Sequence, residues 1–397
     1  MTEKLYYQDA YLKEFTAEIT DIREIEDRTA IVLDRTAFYP EGGGQGADHG
    51  IIRLLDGGEE ISIADVQEEQ EEIWHFPETK DLSGFEIGQK VSGTIDWERR
   101  FDHMQQHSGE HIISGILCRM FHCDNIGFHL GEDDVTIDYN AAFTFEEALK
   151  AEDEANRYIW ENHPLVELWP DPEELKTIEY RSKKELEGNV RLTSFPGADT
   201  CACCGTHVKA SAEVGLLKIT SAHKFHEGTR LTLLCGRRAM DFLSMNYHAN
   251  KKTAVMLSTR EEKTPELVKK QIEELVSLKA RLSQIKEDYF TLWADHFQGR
   301  ENALVISDRL EPEEGRQLAD LIANNISGTA LVFTKVNDQT EDGPVYRYAC
   351  VNREQDVTGL IQEMNSALSG KGGGRNGFAQ GNVHADKKTI EKFLSSF

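Results

Sequence analysis

The chain has no apolar run approaching the ~20 residues that a bilayer-spanning helix needs. Its start, MTEKLYYQDAYLKEF, lacks the charged-then-apolar pattern of a secretory signal. A cytoplasmic protein with no membrane partner is therefore expected. No segment matches a P-loop or a dinucleotide fingerprint, so nucleotide hydrolysis and hydride transfer find no support. Internal repeats and low-complexity tracts are absent. A disulfide framework is not expected either, because the seven cysteines are odd in number, cluster at 201–204 and are otherwise scattered. Positive charge is scarce: 44 Lys and Arg against 70 Asp and Glu leave a net charge of −26, which argues at first against a polyanionic partner. The distribution softens that objection. Residues 1–200 hold 18 Lys and Arg against 45 Asp and Glu, whereas residues 201–300 hold 16 against 11. The second segment is either a face that receives phosphates or a solvated helix pair.

Two short motifs carry most of what the chain does contain: His107-Ser108-Gly109-Glu110-His111 and Cys203-Cys204-Gly205-Thr206-His207. In each, two donors stand four residues apart, so they share one face of a helix or converge in a tight turn. Four N/S donors so arranged suit one zinc ion. Ile112, Ile113, Ile116 and Leu117 form an apolar stripe, while His103, His107 and His111 fall in a row on another face. That row is either a metal-binding face or a polar, solvated one.

At 397 residues, 39% of them hydrophobic and 29% charged, the chain is globular and long enough for two to four domains. Residues 1–95 read as a small β-barrel or sandwich, from strand-like runs at Phe15 to Ile22, Ala30 to Leu33, Ile51 to Leu54, Ile61 to Val66 and Val91 to Ile95. Residues 96–236 read as an α+β layer: the histidine helix, strand-like Val135 to Tyr139, a helix near Phe145 to Asn162, and strands near Val190 to Thr193, Gly215 to Ile219 and Thr229 to Leu234. Residues 237–293 read as two helices, the second capped by the Thr264 side chain and started by Pro265 and Glu266. Val268, Leu275, Leu278, Leu282, Ile285, Tyr289 and Leu292 then keep a 3-and-4 spacing, an apolar seam that either folds back on the preceding helix or pairs with another subunit. Residues 294–397 alternate strand-like runs (Ala303 to Ile306, Thr329 to Phe333, Tyr346 to Val351) with helical ones and suggest an α/β globule. The fold class is thus α+β multidomain.

Two glycine-rich segments stand out: Tyr39-Pro40-Glu41-Gly42-Gly43-Gly44-Gln45-Gly46, and Gly370-Lys371-Gly372-Gly373-Gly374-Arg375 followed by Phe378-Ala379-Gln380-Gly381. In the first, glycine lets the backbone approach a ligand or adopt positive φ. In the second, Lys371 and Arg375 on an open backbone could hold phosphate through amide donors. A plain surface hairpin is the alternative for each.

The order FYPEGGGQ, HMQQHSGEHIIS, FHLGEDDVTIDY, CCGTHVKASAEVGLLKI, a helical pair and GKGGGRNGFAQG closely resembles the stand-alone alanyl-tRNA editing proteins of the AlaX type, in their long form with an alanyl-tRNA synthetase-like C-terminal domain. The resemblance spans nearly the whole chain. It implies a zinc-containing hydrolase that deacylates tRNA-Ala wrongly charged with serine or glycine. It places the zinc ligands on His107, His111, Cys203 and His207, with Cys201 and Cys204 left as competing thiolates because the family usually has glycine after the ligand cysteine. It also sets Gly42, Gly43, Gly44 and Gln45 over the terminal adenosine, gives Lys371 and Arg375 a tRNA-binding role, and points to Thr136 and His129 as the first candidates for recognising serine. No class II synthetase motif or ATP site is evident ahead of the editing segment, so amino acids are expected to be removed and not attached. Four protein donors describe a closed shell, and whether zinc activates water or only organises the pocket stays open. So do two other readings, a non-catalytic zinc-containing tRNA-binding protein and a deacylase of another mischarged tRNA. A homodimer through the helical or C-terminal segment is a further expectation.

Overall fold

The computed structural model describes residues 1–25, 28–182, 190–337 and 344–396. They form a mixed α+β multidomain protein that divides into two units, Met1–Thr253 and Ala254–Phe397.

The first unit begins with β1 (Glu3–Lys4), β2 (Glu14–Ile25), β3 (Arg28–Leu33), β4 (Arg35–Thr36), β5 (Gly50–Leu54), β6 (Glu60–Glu69), β7 (Glu72–Pro77) and β8 (Lys90–Ile95). Six of these close into a barrel in the order β2-β3-β7-β6-β5-β8, while β1 and β4 pair separately. Alternation builds its core: Phe15, Ala17 and Ile19 from β2, Ile61, Ile63 and Val66 from β6 and Ile73 from β7 all point inward. Strand β7 has no counterpart among the sequence expectations, because His75 and Pro77 interrupt its apolar pattern. His75 is nevertheless a core residue, with Nδ1 2.9 Å from the Ile31 carbonyl oxygen and Nε2 2.8 Å from Thr36 Oγ1.

Helix α1 (Trp97–Phe121) follows directly, its first turn capped by the Asp96 side chain, which accepts from the Arg99 amide. Beyond it come β9 (Asn125–Leu130), β10 (Val135–Tyr139), α2 (Phe145–Trp160), β11 (Val166–Leu168), α3 (Pro172–Leu175), β12 (Leu192–Phe195), β13 (Asp199–Ala202), β14 (Leu217–Phe225), β15 (Gly228–Cys235) and α4 (Gly236–Met256). One sheet runs β14-β15-β10-β9 and another β11-β12-β13. Ile112, Ile113, Ile116 and Leu117 of α1 pack with Val135, Ile137, Leu231 and Leu233 of the larger sheet and with Ala148, Ala151 and Ala155 of α2. That packing fixes the opposite face of α1, which carries the histidines.

In the second unit α5 (Thr264–Asp295) precedes β16 (Ala303–Ser307), α6 (Pro312–Ala323), β17 (Thr329–Asn337), β18 (Val345–Asn352), α7 (Thr358–Ala367), β19 (Lys371–Arg375), β20 (Phe378–His384) and α8 (Lys387–Phe393). The sheet order is β16-β17-β18-β20-β19, with β16 and β17 parallel and the other pairs antiparallel. The expected Thr264 side-chain cap is not made: the helix is preceded by Lys263, and the Thr264 hydroxyl is buried without a hydrogen-bond partner. Proline in the first turn starts the helix instead. Its seam residues Leu275, Leu278, Leu282, Ile285, Tyr289 and Leu292 are all exposed. The glycine-rich run 371–375 is an edge strand, joined to β20 by Asn376 and Gly377, whose φ values of 56° and 76° make a two-residue hairpin turn.

Candidate metal centre and its cavity

His107 and His111 lie one turn apart on α1, and Cys203 and His207 lie on the loop that leaves β13. Their four ligand atoms lie within 4.8 Å of one another, so the quartet could hold a metal ion. Cys203 Sγ is 3.5 Å from His107 Nε2 and 3.4 Å from His207 Nε2. The row formed by His103, His107 and His111 is buried, which removes the solvated-face reading.

Each histidine of the quartet is held by its other nitrogen. His107 Nδ1 is 2.9 Å from Gln45 Oε1, His111 Nδ1 is 2.8 Å from Asp199 Oδ2 and His207 Nδ1 is 3.3 Å from Ser108 Oγ. An acceptor at Nδ1 fixes the tautomer that leaves the Nε2 lone pair free for a metal, and Gln45 and Asp199 are such acceptors. Asp199 is itself clamped by Arg181, with contacts of 2.7 and 2.8 Å. Burial opposes its charge, but bonds from His111 and Arg181 hold its carboxyl down at about 2. Burial likewise opposes the Cys203 thiolate, yet His107 and His207 keep the thiol well below its usual range. Cys201 goes the other way, raised by burial. Of the three clustered thiols, Cys203 is the one that joins three imidazoles. Gly205 leaves the space for the His107 ring, which a β-carbon there would strike.

The quartet opens on a cavity of about 450 Å³ whose lining includes Gly43, Gly44, His107, Glu110, His111 and Phe128. Phe128 stacks on the His107 ring at 5.0 Å. Gly43 and Gly44 line it with φ of 61° and 86°. Gly42 does not: its amide and carbonyl are paired with Gln45 across the loop, 3.0 Å each way. Gln45 is fully buried, with its Nε2 donating to Thr206 Oγ1 at 2.9 Å and its Oε1 accepting from the Thr206 amide at 3.1 Å. Its amide therefore orients His107. His129 and Thr136 face each other across β9 and β10 but do not line the cavity, because strand alternation puts them on the side opposite Phe128 and Ile137. Lys371 and Arg375 are exposed on β19 in the second unit.

Sequence reasoning missed Glu110, Asp199, Arg181 and Ser108. Glu110 sits inside the histidine motif, is buried, and accepts from Ser114 Oγ at 2.8 Å and from Asn125 Nδ2. Its Oε2 lies 3.9 Å from His111 Nε2. The spacing of the motif could have flagged it, since residue 110 adjoins a donor. Asp199 lies 88 residues from His111 and gives no such signal.

The chain is 31% identical to the alanyl-tRNA editing protein AlaX-L of Pyrococcus horikoshii, across 98% of this chain and 96% of that one. The chain belongs to the alanyl-tRNA editing family. It is also 28% identical to the alanyl-tRNA editing protein Aarsd1 of Danio rerio, over 91% of this chain and 86% of the relative. With the alanine–tRNA ligase of Ignicoccus hospitalis it shares 28% identity over 98% of its own length, and there it spans 42% of the enzyme. Three family models match parts of this editing-family chain: class II (A) tRNA synthetases at residues 2–99, the threonyl and alanyl tRNA synthetase second additional domain at 190–231, and the DHHA1 domain at 294–397. The first covers the stretch in which no class II motif was evident, and that stretch folds as the six-stranded barrel. The second covers Cys203 and His207. No helix among the described residues is long and apolar enough to cross a membrane.

Proposed function

We propose that this chain is a trans-acting hydrolase that deacylates tRNA-Ala mischarged with serine or glycine, at a zinc-containing site, and does not itself attach amino acids. The observation that carries the reading is a cavity lined by His107, His111, Cys203 and the buried Glu110, the first three of which join His207 in one cluster of metal donors, in a chain of the editing family. The donor spacing supports zinc: Zn–N of about 2.0 Å and Zn–S of about 2.3 Å in a tetrahedron give an N···S edge of about 3.5 Å, and the two edges to Cys203 measure 3.5 and 3.4 Å. Bound zinc would supply a Lewis acid for the ester carbonyl.

The substrate bond joins a small amino acid to the terminal ribose, and its hydrolysis needs an oriented water and a place for the proton that water sheds. Glu110 fits that role. Ser114 and Asn125 hold one of its oxygens while the other turns toward the metal donors. The carboxylate can orient a water in the cavity, accept its proton as oxygen attacks the carbonyl carbon, and return that proton to the ribose oxygen as the ester C–O bond breaks. Because neither His129 nor Thr136 lines the cavity, we place water activation on Glu110. A pocket that takes serine and refuses alanine also needs a polar group that the serine hydroxyl satisfies, and Glu110 is the side chain suited to it. Gly43 and Gly44 give the ribose close access to backbone.

In the second unit we assign Lys371 and Arg375 to tRNA phosphates and the α5 seam to pairing between two copies, in a cytoplasmic protein. The decisive experiment incubates the purified chain with tRNA-Ala carrying serine, glycine or alanine and with other mischarged tRNAs. Release of serine and glycine with alanine retained is expected. Binding without turnover, or turnover only of another tRNA, overturns the reading, as does alanine-dependent pyrophosphate exchange.

A further inference from the structure

Next to the cavity the chain displays an aromatic array that the hydrolysis does not use. Tyr7 ends a short turn at Leu5–Tyr7. Its ring meets Tyr6 edge to face at 4.7 Å, and Tyr6 meets Tyr39 in the same way at 5.4 Å. Tyr6 and Tyr39 are buried, and Tyr39 donates its hydroxyl to the Gly42 carbonyl at 3.1 Å. They form a rigid footing under the glycine loop. On its outer side Tyr7 carries Trp169, edge to face at 5.7 Å, and Trp169 is 54% exposed. That indole belongs to none of the four apolar cores. An edge contact holds a ring by one side and leaves the remainder open.

The array is tied to the cavity rim. Arg191 lies 5.2 Å from the Tyr7 ring centroid and donates to the carbonyls of Cys203 and Gly205 at 3.0 and 2.8 Å. The charge around the array is not that of a phosphate site. Among the described residues the two cations over the Tyr7 ring are paired, Arg191 with Glu167 and Lys4 with Glu68, and residues 1–200 are strongly acidic. A polyanion approaching here gains little from its backbone, whereas every base has an uncharged π-face that stacks on an exposed ring.

We propose that Trp169, held on one side by Tyr7, is a stacking platform for an unpaired base at the 3′ end of the RNA, which leads the aminoacylated terminus into the cavity. The proposal rests on the deacylase reading for its choice of ligand, and its test does not depend on turnover. The full chain is titrated with an uncharged RNA hairpin bearing a short unpaired 3′ tail and with the same hairpin blunt-ended, following intrinsic tryptophan fluorescence. The tailed hairpin should quench fluorescence and bind more tightly. Trp169→Ala should abolish that quench and weaken tailed binding by about tenfold, as loss of one stacked base does, while Trp169→Phe keeps most of the affinity. Zinc content and thermal midpoint, measured alongside, report whether the variants fold. Equal affinity of wild type for both hairpins overturns the platform, and so does an undiminished tail preference in folded Trp169→Ala. If Trp169→Ala does not fold, the quench is read in Trp169→Phe: its persistence there overturns the assignment and its loss supports it. Tail preference without hydrolysis of any mischarged tRNA supports the platform and removes the hydrolase; hydrolysis without tail preference does the reverse.

Discussion

In Met1–Thr253 the side chains of Asp48, His75, Arg100, His103, His107, Glu110, His111, Asp199 and His207 are all buried, whereas among the described residues of Ala254–Phe397 the buried polar side chains are Thr264, Thr329, Thr334 and Asn352, all neutral. Burying charge is costly unless it is paired and hydrogen-bonded, so the buried charges of the first unit are held to fixed partners. Arg100 illustrates this. Its Nε sits 2.9 and 3.0 Å from the two Asp48 oxygens, Asp48 accepts from the Tyr39 amide at 2.6 Å, and the pair thereby fastens the glycine loop to the histidine helix. The same contrast separates the two glycine-rich segments. Gly44 is enclosed, a β-carbon there falling 2.8 Å from the Phe128 carbonyl oxygen; one at Gly373 would meet nothing within 4 Å. The first segment is held in place by its neighbours, whereas Lys371 and Arg375 of the second stay in water.

The strongest test of that contrast removes one metal donor. The wild type should contain about one zinc per chain by elemental analysis. Cys203→Ala should lose the metal and at least roughly a hundredfold in deacylation, ~2.7 kcal/mol of barrier. Full zinc in Cys203→Ala with loss in Cys201→Ala or Cys204→Ala would move the site to another thiolate.

Of similar size is the effect at His75 of the barrel. Burial pushes its ring down to about 4 from 6.5, and Nδ1 donates to Ile31 while Nε2 accepts from Thr36. The folded ring stays neutral where the unfolded ring protonates. Stability is therefore full above pH 6.5, falls as pH drops toward about 4 and is level below that, a total of ~3 kcal/mol. Urea midpoints across that window should fall less steeply in His75→Gln than in wild type; parallel slopes would place the acid sensitivity elsewhere.

These contrasts also show what sequence carries. The 3-and-4 spacing of α1 and the alternation of Val135–Tyr139 were legible because side chains in one element repeat with its geometry. His107 and His111 were legible for the same reason, whereas Cys203 and His207 lie on a loop and showed only as a second pair of donors four residues apart. Strand β13 was not, since Asp199–Ala202 shows no alternation of apolar and polar residues; it is defined by pairing with Leu192–Phe195. Strand β19 has almost no side chains to read: its three glycines allow β20 to pack close, as Gly374 does against Phe378. Gln45 and Asp199 were invisible as partners of His107 and His111 because they lie 62 and 88 residues away. His129 and Thr136 look like pocket residues by position in the chain, and only the direction of the pleat puts them on the other face.

A smaller effect compares the two glycine segments directly. At Gly44, φ of +86° and the Phe128 contacts make any side chain costly, the left-handed backbone alone by ~1 kcal/mol or more. Gly44→Val should lower deacylation by at least roughly tenfold, ~1.4 kcal/mol, with zinc retained. Gly373→Ala should leave folding and turnover near wild type. Equal damage at both positions would mean that the loop is not specially placed, and no damage at Gly44 would make it a bystander hairpin.

The smallest effect is expected at Lys371 and Arg375, both exposed at an edge strand. Surface charges contribute little to folding, so the double variant Lys371→Gln, Arg375→Gln should keep its thermal midpoint. What it should lose is phosphate attraction. The half-saturating concentration of mischarged tRNA-Ala should rise by roughly threefold to tenfold near 0.15 M salt, and the dependence of affinity on salt should flatten by about one contact per lysine or arginine removed. The turnover rate at saturating tRNA should hold, because neither residue lines the cavity in the first unit. A changed turnover rate with unchanged salt dependence would put these residues in the chemistry and erase the division of labour between the units.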